Sequence, residues 1–346
     1  MKPVYSPSPI SKANSQLNQQ SKMNSPIIFC HFGNTPYLYY SLRSAKISNP
    51  EKEVFLFGDS SNQKLAKELS INHVNSDELA NTDLYHDFQK VYKIIKGEKA
   101  RIMVGGKNVE KYMIERYFYI YQFCHEKNID KVWFFDSDTM IVSDLKSVEN
   151  LFDDYDSTEQ CQASCMKGLL KLAAIKNFIS NINQIFQDEE HLKAIQSQCD
   201  KNPSWSLSEI TLYRLYKKYN KYKSVDLRNI FDNKTFDDCI CHQHGYEMET
   251  LPYGQEIKKI FMTDDGRFWG KKENEFVQFL SINLSWVPDY LFRIILLHLS
   301  QSLIPGQKKT LPSDESNSLG KHPLPTYLYI KYWPNWLKNY IKNKLT

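Results

Sequence analysis

The sequence predicts an α/β fold: a Rossmann-type nucleotide-binding sheet with helices on both faces, followed by a mixed α+β part. Three observations carry this. Ile27-Ile28-Phe29-Cys30-His31-Phe32, Val54-Phe55-Leu56-Phe57 and Val132-Trp133-Phe134-Phe135 are almost uniformly apolar, as are central strands of parallel sheets covered on both faces. A helix-like stretch from Tyr37 to Ala45 lies between the first two runs, so a right-handed βαβ crossover is expected. Before the third run, Val109, Met113, Tyr117, Ile120 and Cys124 recur at helical spacing.

The remaining elements follow with less contrast. Leu169 to Phe186 and Leu207 to Tyr219 read as helices, and after Lys234 the pattern loosens into short strands and turns. Residues 1–25, rich in Ser, Asn, Gln and Pro, read as a flexible leader. Residues 305–321 read as a linker, and the last 20 residues mix Tyr, Trp and Lys.

Composition excludes several classes. A chain of 346 residues can hold one large domain or two modest ones. Its 44 Lys plus Arg against 40 Asp plus Glu leave a net charge of only +4, a near-balance that argues against a dedicated nucleic-acid binder. Hydrophobic residues at 41% and aromatics at 14% exclude wholesale disorder. Seven scattered cysteines suggest no disulfide framework and suit a reducing compartment. After Lys2 comes Pro-Val-Tyr-Ser-Pro-Ser-Pro, which is no secretory signal. The most apolar stretch, Leu291 to Leu299, carries Arg293 and His298 and is far short of the roughly 20 clean residues of a span. A cytoplasmic protein is expected.

The sharpest chemical signal is Phe134-Phe135-Asp136-Ser137-Asp138-Thr139-Met140-Ile141-Val142. Carboxylates at i and i+2 project to the same side of an extended chain, here where an apolar strand ends. That edge is where ligands bind in open α/β sheets. Two hard oxygen ligands suit Mg²⁺ or Mn²⁺, with phosphates and water completing the shell. Without a ligand, the same aspartates would serve a turn by accepting backbone N–H groups.

This motif resembles the D-x-D of GT-A glycosyltransferases. The resemblance extends to the helix Asn108-Val-Glu-Lys-Tyr-Met-Ile-Glu-Arg116-Tyr-Phe, to Phe32-Gly33-Asn34 and to Gly58-Asp59, and more loosely to Ser206-Leu-Ser-Glu209-Ile-Thr-Leu-Tyr. It implies a GT-A-like fold with residues 26–150 binding a nucleotide sugar and 151–304 binding the acceptor. It implies a transferase using Mn²⁺ or Mg²⁺ and a nucleotide diphosphate sugar, most commonly UDP-linked, on a glycan, glycolipid or other hydroxyl acceptor. Phe32, Gly33, Asp59, Arg116, Asp136 and Ser137 would surround the nucleotide, and Asp136 and Asp138 would meet the metal. Many such enzymes add a late histidine as third ligand. The comparable run, Phe279 to Trp286, offers Asn283 instead, a weaker oxygen donor; otherwise His298, His242 or His244 must reach in.

Other residues admit two readings each. Arg116 lies near the apolar face of its helix and needs an anion, either a phosphate or a carboxylate such as Asp136. Asp59 can accept from a ribose hydroxyl or simply close a turn after Gly58. Glu209 is placed as a general base, yet Ser206-x-x-Glu209 is also a capping box; Asp237 and Asp238 compete for the catalytic role. Cys239-Ile-Cys241-His242-Gln-His244 invites a zinc reading but lacks a second cysteine knuckle, so buried cysteines beside a strand are expected.

Two rival functions remain on sequence grounds. A haloacid-dehalogenase-type phosphatase also has D-x-D after an apolar strand, but Met140 stands where that family wants Thr or Val, and its motif comes early in the domain. A catalytically degenerate sugar-nucleotide scaffold is the non-enzymatic alternative. Finally, Tyr327 to Lys342 mixes aromatics and lysines, which suits either packing of the aromatics onto the domain or a headgroup region at about 1 kcal/mol per accessible lysine. At most a weak peripheral membrane contact is expected. The chain should sediment with anionic liposomes at low salt and be released at high salt; unchanged binding after removal of residues 322–346 would refute it.

Overall fold

The computed structural model describes residues 25–104, 106–301, 312 and 317–322. It is α/β throughout, as the sequence predicts. The chain runs β1 (Ile27–His31), α1 (Pro36–Ser48), β2 (Val54–Gly58), α2 (Gln63–Leu69), β3 (Asn72–Asn75) and α3 (Asp83–Val91). The ribbon β4 (Met103–Val104) and β5 (Lys107–Asn108) leads into α4 (Val109–Glu126), β6 (Lys131–Asp136) and β7 (Thr139–Ile141). Next come β8 (Ser157–Gln160), β9 (Cys165–Lys171), α5 (Leu172–Gln187), α6 (Glu189–Lys201), α7 (Glu209–Tyr219) and β10 (Ser224–Asp226). The last portion holds β11 (Lys234–Phe236), β12 (Met248–Thr250), β13 (Glu256–Lys258), β14 (Phe261–Met262), β15 (Phe268–Lys272), β16 (Glu275–Asn283), α8 (Asp289–Gln301) and β17 (Asn317–Ser318).

A seven-stranded sheet, ordered β10-β8-β9-β6-β1-β2-β3, forms the centre. β1 pairs in parallel with both β2 and β6, which explains their uniformly apolar sequences. Alternate residues feed two cores. Ile28, Phe55, Phe57 and Phe134 face α4, α5 and α7, whereas Ile27, Phe29, Leu56, Trp133 and Phe135 pack with Leu38 and Leu42 of α1. The sheet runs across residue 150, because β8, β9 and β10 complete one side of it.

The second sheet, β11-β16-β15-β14-β17, is joined to the first by β7, which pairs with β16 immediately after β6 ends. Its core sets Met140 and Ile282 against Leu291, Phe292 and Ile295 of α8. The most apolar stretch of the sequence is thus a buried helix face.

Three sequence expectations are corrected. Leu169 begins no helix: Leu169 and Leu170 pair antiparallel with Trp133 and Val132, and α5 starts at Leu172. A short apolar run carries no period that separates a strand end from a helix start. The capping box is also absent. Ser208 is the N-cap, accepting from Thr211 N, while Ser206 Oγ donates to Glu110 Oε1 at 2.7 Å. Within the expected linker, residues 317–318 pair with β14, and Ser318 Oγ and the Gly320 N–H both donate to Glu249. The leader before Ser25 and the aromatic C-terminal segment lie outside the described residues.

The strand starts are tied by one carboxylate. Glu149 accepts from Lys52 Nζ at 2.8 Å, Lys131 Nζ at 2.8 Å and Ser25 Oγ at 2.5 Å, residues that lie just before or at the start of β1, β2 and β6. Burial alone would raise its pKa, but the hydrogen bonds from Lys131, Lys52 and Ser25 prevail and bring it from 4.5 to about 2. A depressed carboxylate gives stability that is present above its unfolded pKa and lost as pH falls through its folded one. Unfolding free energy should therefore drop by on the order of 3 kcal/mol as pH falls from about 5 to about 2. In Glu149→Gln that part of the slope should vanish, measured by urea midpoints across the range; an unchanged slope would show that other groups carry it.

Candidate active site

The ends of β1, β2 and β6 come together at the opposite edge. There Asp136 closes β6, and its Oδ1 accepts from Arg116 Nη1 and Lys167 Nζ, each at 2.7 Å. Glu209 completes the cluster, with Oε2 2.6 Å from Arg116 Nη2 and Oε1 3.3 Å from Lys167 Nζ. Burial would raise the Asp136 pKa, but Lys167 and Arg116 hold it well below the usual carboxylate range. Burial likewise works against the charge on Arg116, and Glu209 and Asp136 more than restore it. Two cations and two carboxylates balance, which is what allows Arg116 at 2% exposure and Lys167 at 0% to stay charged inside the protein.

Both readings of Arg116 thus meet a definite answer on its partners: it pairs with two carboxylates. Lys167 is the residue the sequence reading missed. The available signal was a lone cation within the apolar run from Cys165 to Leu170, since a fully buried lysine needs a partner. A bulge aims it. Gly168 has φ +86°, and a Cβ there would lie 2.2 Å from Thr158 Oγ1, which is instead free to accept from Leu169 N and donate to Lys167 O.

Asp138 differs from Asp136. Its Oδ2 accepts from Ser285 Oγ at 2.7 Å, but Oδ1 is buried without a hydrogen-bond partner among the described residues. Burial and the neighbouring Asp136 charge both raise its pKa. Such an orphaned oxygen costs about 1–3 kcal/mol unless something satisfies it, and a hard cation would. Asn283 stands beside it on β16: its Oδ1 accepts from Ser285 N, its Nδ2 donates to Thr139 Oγ1, and Leu284 N donates to Asp138 O. One lone pair of the Asn283 oxygen remains for a cation. His298 is occupied elsewhere, with Nε2 2.7 Å from Thr263 O.

His31, Gly33 and Asp59 gather at the ends of β1 and β2. His31 Nδ1 lies 2.8 Å from Ser137 Oγ, and burial lowers its pKa to about 4 against the pull of Asp59, so the ring is neutral at pH 7. Gly33 has φ +72°, and its N–H donates to Asp59 Oδ2 at 3.1 Å. Asp59 also caps the turn at Ser60–Asn62, so its turn role is real whatever else it binds. Phe32 packs on Tyr112 with centroids 4.0 Å apart, beneath Lys107 Nζ at 3.5 Å.

Across β16 lie the remaining carboxylates. Asp237 is paired with Lys258 at 2.5 Å and accepts from Asn283 N. Asp238 accepts from the backbone N–H groups of Cys161 and Gln162, where three consecutive residues, Cys161 to Ala163, have positive φ. It lines a cavity of about 330 Å³ with Arg228, His244, Tyr246 and Lys272. All seven cysteines are free.

The ion cluster is testable on its own. Lys167→Met leaves Asp136 and Glu209 short of a cation and should lower unfolding stability by about 3–5 kcal/mol, measured by chemical denaturation; a loss under about 1 kcal/mol would show that the cluster is not held as described.

No protein-family model matches the chain, and no curated protein matches its sequence. Among solved structures it is similar to mouse xyloside xylosyltransferase 1 in its apo form, at 10% identity over 56% of this chain and 82% of that one, TM-score 0.38. It is similar to the PaToxG glycosyltransferase at 10% identity, 57% and 69% coverage, TM-score 0.34. A cytidylyltransferase from Leptospira borgpetersenii serovar Hardjo-bovis (strain JB197) gives 14% identity, 60% and 76% coverage, TM-score 0.32.

Proposed function

We propose that the chain is a metal-dependent glycosyltransferase, moving a sugar from a nucleotide diphosphate sugar, UDP-linked in our reading, to a hydroxyl of a glycan or glycolipid. The observation that carries this is the buried, partnerless Oδ1 of Asp138, two residues after an Asp136 locked at a parallel strand end. Asp136, whose Oδ1 alone is taken by Arg116 and Lys167, and Asp138 would hold Mn²⁺ or Mg²⁺, with the Asn283 oxygen as third protein ligand. When bound, that ion would neutralise the diphosphate leaving group.

The chain's own groups supply the rest. Phe32 offers a ring face and Gly33 an open backbone for the nucleoside, and Asp59 an acceptor for ribose hydroxyls. Ser137, between the two aspartates in sequence, places its hydroxyl 2.8 Å from His31 Nδ1. Arg116 and Lys167 act through Asp136, keeping it ionised and fixed. Of the two carboxylates nominated for the acceptor side, Glu209 has both oxygens in ion pairs and serves as a positioning residue. Asp238 opens on a cavity and is the acceptor-facing carboxylate.

A thermal-shift screen of sugar nucleotides with Mn²⁺ tests the reading, because a ligand that binds only the folded state raises the melting temperature. At least one uridine or guanosine sugar should shift the wild type. Asp138→Ala should lose the shift and at least about 100-fold of transfer while keeping its fold. Release of inorganic phosphate in place of nucleoside diphosphate would favour the phosphatase, and no shift with any donor would favour the scaffold.

A further inference from the structure

The cavity beyond β16, on which Asp238 opens, is flanked by two imidazoles that the transferase reading does not use. Three carboxylates border it. Asp226 is paired with Arg228 at 2.5 Å and Asp237 with Lys258 at 2.5 Å, so their charges are offset. Asp238 has no ion-pair partner among the described residues, although it is only 4% exposed. Its two backbone N–H donors fix the carboxylate in place, and a carboxylate has lone pairs to spare beyond two such bonds.

Two imidazoles face this charge. His242 and His244 lie with ring centroids 5.5 Å apart, and neither ring makes a hydrogen bond among the described residues. One ligating atom from each of Asp238, His242 and His244 lies within 4.8 Å of the others. Ligands of a tetrahedral zinc ion, at bonds of about 2.0–2.2 Å, sit roughly 3.3 Å from one another. His242 is exposed and His244 half-buried, so rotation of two unencumbered rings can close the difference. The neighbouring cysteines are committed differently: Cys241 Sγ accepts from Gln255 Nε2 and donates towards Ser285 O.

We propose that Asp238, His242 and His244 form a binding site for a divalent transition metal of the zinc class, separate from the D-x-D site. Two imidazoles and one carboxylate suit a borderline cation better than Mg²⁺, which prefers an all-oxygen shell. Three protein ligands leave a coordination position for water, and the adjoining cavity gives that water room. The site ties the loop at 239–246 to the β8–β9 turn, because Asp238 already holds Cys161 and Gln162. It stands whether or not the chain transfers sugars.

The test uses the full chain, stripped with chelator, dialysed and titrated with Zn²⁺ against a chromophoric chelator. Wild type and Asp138→Ala should both take up a tight equivalent, and His242→Ala and His244→Asn should each lose it. Asn is chosen because His244 has φ +45°, a left-handed conformation that Asn tolerates. Melting temperatures in chelator should match the wild type, showing that the variants fold. Independently, X-ray absorption of the zinc-loaded wild type should show two imidazoles. The proposal is overturned if the histidine variants keep the wild-type equivalent, if Asp138→Ala abolishes it, or if no imidazole scattering appears. Failure of donor binding with zinc uptake intact would remove the transferase reading alone.

Discussion

Four charged side chains buried together, Arg116, Lys167, Asp136 and Glu209, set the terms for the rest of the molecule. They come from α4, β9, β6 and α7, and none could be buried without the others. The mutual requirement fixes more than an ion pair does. Lys167 can reach Asp136 only if β9 lies antiparallel beside β6, and Glu209 can reach Arg116 only if α7 starts against α4. The Phe134 ring lies beside both cations, with Arg116 at 5.3 Å and Lys167 at 4.5 Å from its centroid. A polar cluster of this kind need not add net stability over an apolar core; its effect is to leave few alternatives for where these four elements meet.

Because Asp136 is fixed, so is the turn after it. Within three residues the chain leaves one sheet and enters the other, as β7 takes its place beside β16. Asn283 and Asp237 then fasten the second sheet, the first by its amide to Thr139, the second by its carboxylate to Asn283 N. The two edges of the large sheet therefore differ in kind. At the strand starts Glu149 satisfies every group that meets it, and the result is structural. At the strand ends Asp138 keeps an oxygen without a hydrogen-bond partner among the described residues, a local defect of the sort that working sites retain.

What the sequence made legible was what is local. Three buried strands announce themselves by unbroken apolar runs, and the Asp136–Asp138 pair by its position after one of them. Arg116 could be read as needing an anion, since a cation near an apolar helix face has few options. Which anion it found was not readable, because Glu209 lies 93 positions away. Lys167 was hidden for a related reason: it belongs to a strand whose apolar pattern merges into the following helix, so the boundary at Leu172 left no mark. Ser206-x-x-Glu209 misled because a capping box is a pattern of residue types, while Glu209 is drawn inward by Arg116 and Ser206 outward by Glu110. Long-range charge pairing decided each of these cases against local preference.

The same pairing separates the carboxylates of this region into two groups. Asp136, Glu209, Asp226 and Asp237 each have a cationic side chain within 4 Å, and each is spent on holding elements together. Asp138 and Asp238 have none among the described residues, yet both sit in largely enclosed surroundings where an uncompensated negative charge is costly. One follows β6 and contacts β16 through Leu284 N, the other follows β11 on the far side of the same strand. Either a proton or a bound cation relieves such a charge, and burial raises the pKa of both groups. With oxygen donors around Asp138 and imidazoles beside Asp238, the cations proposed for them would differ in kind, a hard one at the first and one of the zinc class at the second.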